Sequence, residues 1–68
     1  MNEEQFNMEL RKFLKRFGVS AQREIEKAVQ KGRDSGALSG AGSIKVRATL
    51  TIEGAESDLV IEEKLPLA

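Results

Sequence analysis

The chain has 68 residues, 40% of them apolar and 32% charged, with 11 basic side chains against 11 acidic ones. It contains no His, Cys, Trp or Tyr. These counts exclude disulfides, thiolate metal sites, a thiol nucleophile and imidazole acid–base chemistry, and the chain is too apolar for general disorder.

The neutral total hides segregation. Residues 1–10 carry a net −3, residues 11–33 a net +6, residues 34–52 a net +1 and residues 53–68 a net −4. One reading is a basic helical surface for an anionic partner. The other is a helix with acids in its first turns and bases in its last, which complements its macrodipole.

The N-terminal Met1-Asn2-Glu3-Glu4-Gln5 is acidic and polar, unlike the basic start and apolar stretch of a secretory leader. No apolar run approaches the roughly 20 residues that span a bilayer. Lack of Cys fits a reducing compartment. A cytoplasmic protein without a membrane partner is expected.

One domain, residues 1–68, fits this length. Its first part, 2–34, reads as helical. Phe6, Leu10, Phe13, Leu14 and Phe17 fall on one helical stripe. Gly18 follows as an expected left-handed cap, so the first helix is predicted from Asn2 or Glu3 to Phe17. Ser20 reads as the N-cap of a second helix, with Val19 placed to pack on Ile25. That helix carries Ala21, Ile25, Ala28 and Val29 on a narrower stripe and is predicted to end between Lys31 and Ser35. Gly32 either ends it or sits inside it at a cost of about 1 kcal/mol, with Gly36 as the alternative stop.

Residues 36–43 are Gly, Ser and Ala with one Leu, and read as a linker anchored by Leu38. Residues 44–66 alternate as a β-hairpin. Ile44, Val46, Ala48, Leu50 and Ile52 share one face and Lys45, Arg47, Thr49, Thr51 and Glu53 the other. A short loop, Gly54-Ala55-Glu56-Ser57, leads to a second strand with Leu59, Ile61 and Leu65 inward. Pro66 is expected to end the hydrogen bonding. Two registers are open: Ile52 opposite Leu59, or Leu50 opposite Leu59 with Arg47 opposite Glu62. In both, Glu63 interrupts the apolar face and is expected to reach solvent.

The predicted fold class is α+β in the order α-α-β-β: two N-terminal helices in a hairpin, then an antiparallel β-hairpin. The apolar sides of the two units are expected to close on one another, with Phe13, Phe17, Ile25, Leu50 and Ile61 in a common interior. A lone two-stranded sheet is marginal in water and its edges stay open. A two-fold homodimer is the simplest remedy.

Three patterns bear on chemistry. The stretch from Phe13 to Ile25 resembles a DNA-binding helix-turn-helix, with Gln22 and Arg23 where base-reading side chains start and Lys12, Lys15, Arg16 and Lys27 nearby for phosphates. Against it, the usual apolar slot of the second helix holds Glu24, with Ile25 one residue late, a rotation of about 100°. The glycine-rich segment Gly32–Gly42 follows a helix and precedes a strand, the reverse of a phosphate loop. Glu56, Asp58, Glu62 and Glu63 offer carboxylates, but Glu62 and Glu63 are adjacent in a strand and point to opposite faces, so they share no site. No catalytic residue, cofactor or metal site is expected.

Taken together, Phe6-Asn7, Arg11-Lys12-Phe13-Leu14-Lys15, Gly18-Val19 and the run from Gln22 to Val29 make the chain similar to a family of short bacterial proteins classed only as a domain of unknown function. The resemblance covers most of the chain, most clearly its helical half. It implies a bacterial, free-standing, single-domain protein and brings no activity or site residue with it. The expectation is a non-enzymatic interaction protein that meets a protein partner or a second copy of itself. The alternative is a small nucleic-acid-binding protein using Lys12, Lys15, Arg16, Gln22, Arg23 and Lys27.

Overall fold

A computed structural model describes residues 1–56 and 58–67. The order is α1 (Glu3–Ser35), β1 (Ser43–Leu50) and β2 (Leu59–Pro66). The chain is α+β, but one unbroken helix replaces the expected helix hairpin.

The apolar stripe explains why α1 does not break. Phe17, Ala21 and Ile25 continue at steps of four through the expected turn, so both halves stay in phase. Phe6, Phe17 and Ala28 recur at an eleven-residue spacing, as do Leu10, Ala21 and Gly32. Eleven residues make just over three whole turns, so this stripe drifts only about 20° per repeat around a straight helix. Gly18 has no positive φ and is helical; one interior glycine costs about 1 kcal/mol, which continuous helix offsets. Neither Gly18 nor Ser20 caps anything. The N-terminal cap is Asn2, whose Oδ1 accepts from the Gln5 amide at 3.1 Å. Glu3 and Glu4 lie in the first turn and Arg33 in the last, where each complements the macrodipole.

The helix ends at Gly36, which is left-handed with φ 82°. The Gly36 amide donates to the Arg33 carbonyl at 3.2 Å and the Leu38 amide to the Gly32 carbonyl at 3.0 Å. These bonds fold Leu38 back over Gly32. A Cβ on Gly32 would lie 2.6 Å from Leu38 Cγ and Cδ1. Gly32 is therefore neither a stop nor a passive tolerance: it is the seat for Leu38.

The strands pair antiparallel with Leu50 opposite Leu59, Ala48 opposite Ile61, Arg47 opposite Glu62 and Ile44 opposite Leu65. This is the second of the two registers. The other would set Arg47 against Lys64, a pairing of like charges. Instead Glu62 accepts from Arg47 Nε at 2.9 Å and lies 2.8 Å from Lys45 Nζ.

The strands stop earlier than expected, so Thr51, Ile52 and Glu53 belong to the connection. There the Ala55 amide donates to the Ile52 carbonyl at 3.1 Å, and Gly54, with φ 85°, supplies the positive φ of a type II turn. Ser57, the last residue of the expected loop, lies outside the described residues. Pro66 does not end the ladder, because the Leu67 amide donates to the Gly42 carbonyl at 2.9 Å. Ser43 and Pro66 thus face each other as a non-hydrogen-bonded pair, where a missing N–H is not needed.

The molecule measures 51 × 23 × 17 Å, with a radius of gyration of 16.1 Å. A compact chain of this length would have a radius of about 11 Å. No described residue is buried. Phe13 is 52% exposed, Phe17 51%, Leu50 38% and Ile61 51%, while Ile25 is half-buried. The expected common interior does not exist within one chain. The cause is geometric: a straight helix about 50 Å long cannot fold onto itself, and an eight-residue hairpin reaches along only about 26 Å of it.

Candidate interaction surfaces

The hairpin runs back along α1 with its apolar face toward the stripe. Ile44 and Val46 line a cleft of about 570 Å³ with Ile25, Val29 and Gly32. Nearer the N-terminus, Leu50, Leu59 and Ile61 line a second cleft, of about 380 Å³, with Phe13 and Phe17. At the first cleft Ile25, Val29, Gly32, Leu38, Ile44 and Val46 are half-buried. Around the second every large apolar side chain stays exposed. Phe13 and Phe17, one turn apart, stack with ring centroids 6.4 Å apart and planes at 9°. Phe6 and Leu10 continue that row toward the N-terminus, 52% and 40% exposed.

Directly opposite the stripe lies the basic row. Lys12, Lys15, Arg16 and Arg23 flank Val19 and Ser20 on a shallow surface. Lys27 follows one turn beyond Arg23, and Gln22 lies toward the edge of the row, at 100° per residue. Lys12 pairs with Glu9 at 3.5 Å and Lys27 with Glu24 at 3.4 Å. Among the described residues no ion pair involves Lys15, Arg16 or Arg23. The turn that a helix-turn-helix requires is missing: Gln22 and Arg23 are mid-helix residues, not the start of a recognition helix. Phe13 and Phe17 project from the far side of α1 and offer this row no stacking platform.

The carboxylates do not converge. Glu62 sits with Lys45 and Arg47 on the solvated face of the hairpin. Glu63 lies opposite Val46 and is exposed. Among the described residues no three carboxylates are grouped to hold a metal ion, and no helix is long and apolar enough to cross a membrane.

A family model matches residues 1–68, the whole chain, and its description is a family of unknown function, DUF6494. The chain belongs to DUF6494. No curated protein and no solved structure matches it. Membership in DUF6494 assigns no role to any residue.

The apolar row, and not the basic one, is the feature that reading for chemistry missed as a surface. Phe13, Phe17, Leu50 and Ile61 read as core from their spacing. The signal that separates the two is the unbroken phase from Phe6 to Gly32, which requires one long helix and leaves too little chain to cover it.

Proposed function

We propose that this DUF6494 chain is a non-enzymatic cytosolic protein-interaction module that works as a homodimer. One observation carries the reading. The chain exposes 6289 Å², whereas a compact monomer of 7.5 kDa would expose about 4,200 Å². The excess of about 2,000 Å² per chain falls in the range that obligate homodimers bury. Phe6, Phe13, Phe17, Leu50, Leu59 and Ile61 are all exposed, and exposed apolar side chains in a group mark an interaction surface. Closing it against a second copy supplies the interior that one chain lacks. The absence of His and Cys and the scattered carboxylates support a non-catalytic role.

The test is dilution. If the dimer is the folded unit, far-UV helicity falls as the concentration drops through the dissociation constant. Full helicity retained at every concentration, with the mass of one chain by light scattering, would refute the reading.

A second reading has one observation in its favour. Lys15, Arg16 and Arg23, with Lys12, form a row about 16 Å long on a straight helix, on the face away from the stripe. A nucleic acid is the alternative partner for that row. It predicts salt-sensitive binding, with amide shifts confined to residues 11–33. No shift at low salt on titration with mixed oligonucleotides removes it.

A further inference from the structure

Backbone hydrogen bonding leaves the two strands with unlike edges. The Leu67 amide donates to the Gly42 carbonyl, and in an antiparallel ladder inward and outward pairs alternate from there. In the register of this hairpin, Ser43, Lys45, Arg47 and Thr49 turn their backbone groups out from β1. Val60, Glu62, Lys64 and Pro66 turn theirs out from β2. The β2 edge is blunted: Pro66 has no N–H to offer there, and Glu63 puts a charge on the apolar face. The β1 edge carries an N–H and a C=O at every outward position. Among the described residues no backbone hydrogen bond takes them up. No Cα of α1 comes within 8 Å of a strand Cα, whereas a paired strand lies at about 5 Å.

The sequence of β1 is complementary to itself about Ala48. A second, antiparallel copy must oppose outward groups to outward groups. The two-fold axis therefore falls on a residue, and both apolar faces stay on one side. With the axis at Ala48, Val46 meets Leu50 on the apolar face and Arg47 meets Thr49 on the wet one. The ladder then draws in Thr51 and Ile52, with Lys45 opposite Thr51 and Ile44 opposite Ile52. No two cations face each other. An axis at Arg47 would oppose Arg47 to itself, and one at Val46 would oppose Lys45 to Arg47 twice. An axis at Thr49 leaves only residues 48–50 of the strand in the ladder. On β2, every axis from Ile61 to Lys64 sets Glu63 against Leu59, Ile61, Leu65 or itself.

We infer that two copies pair antiparallel through their β1 edges about a two-fold axis at Ala48, making one four-stranded sheet in the order β2-β1-β1-β2. The inference rests on the homodimer proposed above and names its interface. Four strands with one apolar face give the sheet a stability that a lone hairpin lacks. The two hairpins sit about 10 Å apart, centre to centre. That is also the spacing of neighbouring helices, so each α1 stays over its own hairpin. Ala48, Thr49 and Leu50 line the cleft with Phe13 and Phe17. An axis at Ala48 brings the two clefts side by side and widens the floor beneath the phenylalanines from two strands to four.

Two measurements on the full chain test it. Thr49 and Val60 stand opposite each other in the hairpin, and both face outward. Thr49→Pro removes an N–H from the inferred interface, while Val60→Pro places the same ring on the other edge. Read by sedimentation, Thr49→Pro weakens dimerisation about tenfold or more beyond Val60→Pro. Equal effects, or a larger one from Val60→Pro, overturn the inference. The second measurement avoids proline, in case either ring disturbs the hairpin. The native chain has no Cys, and Ala48 and Ile61 are also opposite one another. In the Ala48→Cys variant the two thiol-bearing residues lie about 4.5 Å apart at Cα across the axis, within disulfide reach. In the Ile61→Cys variant they lie three strand spacings apart, about 14 Å. Mild oxidation therefore links the Ala48→Cys chain into a covalent dimer and leaves the Ile61→Cys chain unlinked; any other pattern overturns the inference. A wild-type chain that sediments as a monomer overturns the homodimer itself, so the two failures are distinguishable.

Discussion

The two halves of α1 carry the same stripe and bury it differently. From Ala21 to Ser35, small residues let the chain return closely: Leu38 seats on Gly32, and Ile44 and Val46 face Ile25 and Val29. From Glu3 to Val19 the stripe is larger, richer in phenylalanine and exposed. Side-chain size thus opposes burial, the reverse of what one folded chain achieves alone. The smallest residue, Gly32, marks where Leu38 folds back onto the helix. Large residues mark where the chain waits for another surface.

The largest effect to expect is on the bare half. Phe17→Ala removes a ring that the second copy covers and weakens dimerisation by about 3 kcal/mol, more than a hundredfold, with helicity falling in parallel. Sedimentation and far-UV dichroism check this; unchanged affinity would mean that the exposed stripe is idle. In the covered half, Leu38→Ala removes a half-buried anchor and lowers stability by about 1–2 kcal/mol. Hydrogen exchange at residues 32–44 then quickens before that of the N-terminal turns.

The glycines sharpen the comparison, since the same substitution has opposite signs in the two halves. A Cβ on Gly18 meets nothing within 4 Å, so Gly18→Ala raises the stability by about 1 kcal/mol through helix propensity. Gly32→Ala gains the same propensity but drives into Leu38, and the net is a loss of about 1 kcal/mol. Thermal unfolding at fixed concentration reads both. Smallest is the Glu62 cluster: Glu62→Gln lowers stability by less than about 1 kcal/mol, and the difference shrinks in high salt. An effect that salt leaves unchanged would show that the cluster acts through packing.

How much of this was legible in the sequence divides along the same line. The hairpin and its faces follow from strict alternation, which leaves two registers open, one of them with Arg47 opposite Glu62. Leu38 as an anchor was legible because it is the single large side chain in its segment. The break at Gly18–Ser20 was not there. Gly, Val and Ser are common cap chemistry, but a local cap signal competes with stripe phase, and the continuity from Phe17 through Ala21 to Ile25 prevailed. That one correction removed the second helical layer, and with it the interior that Phe13, Phe17, Leu50 and Ile61 were expected to share. The basic residues Lys12, Lys15, Arg16 and Arg23 do share a face, yet on a straight helix and not around a turn.

The central claim is that this chain reaches its folded state as a pair. Sedimentation equilibrium over a range of micromolar concentrations, on protein whose helicity is measured in the same cell, tests it most directly. Twice the 7.5 kDa chain mass is expected wherever the helix is formed, with mass and helicity falling together on dilution. A fully helical species of single-chain mass would contradict it.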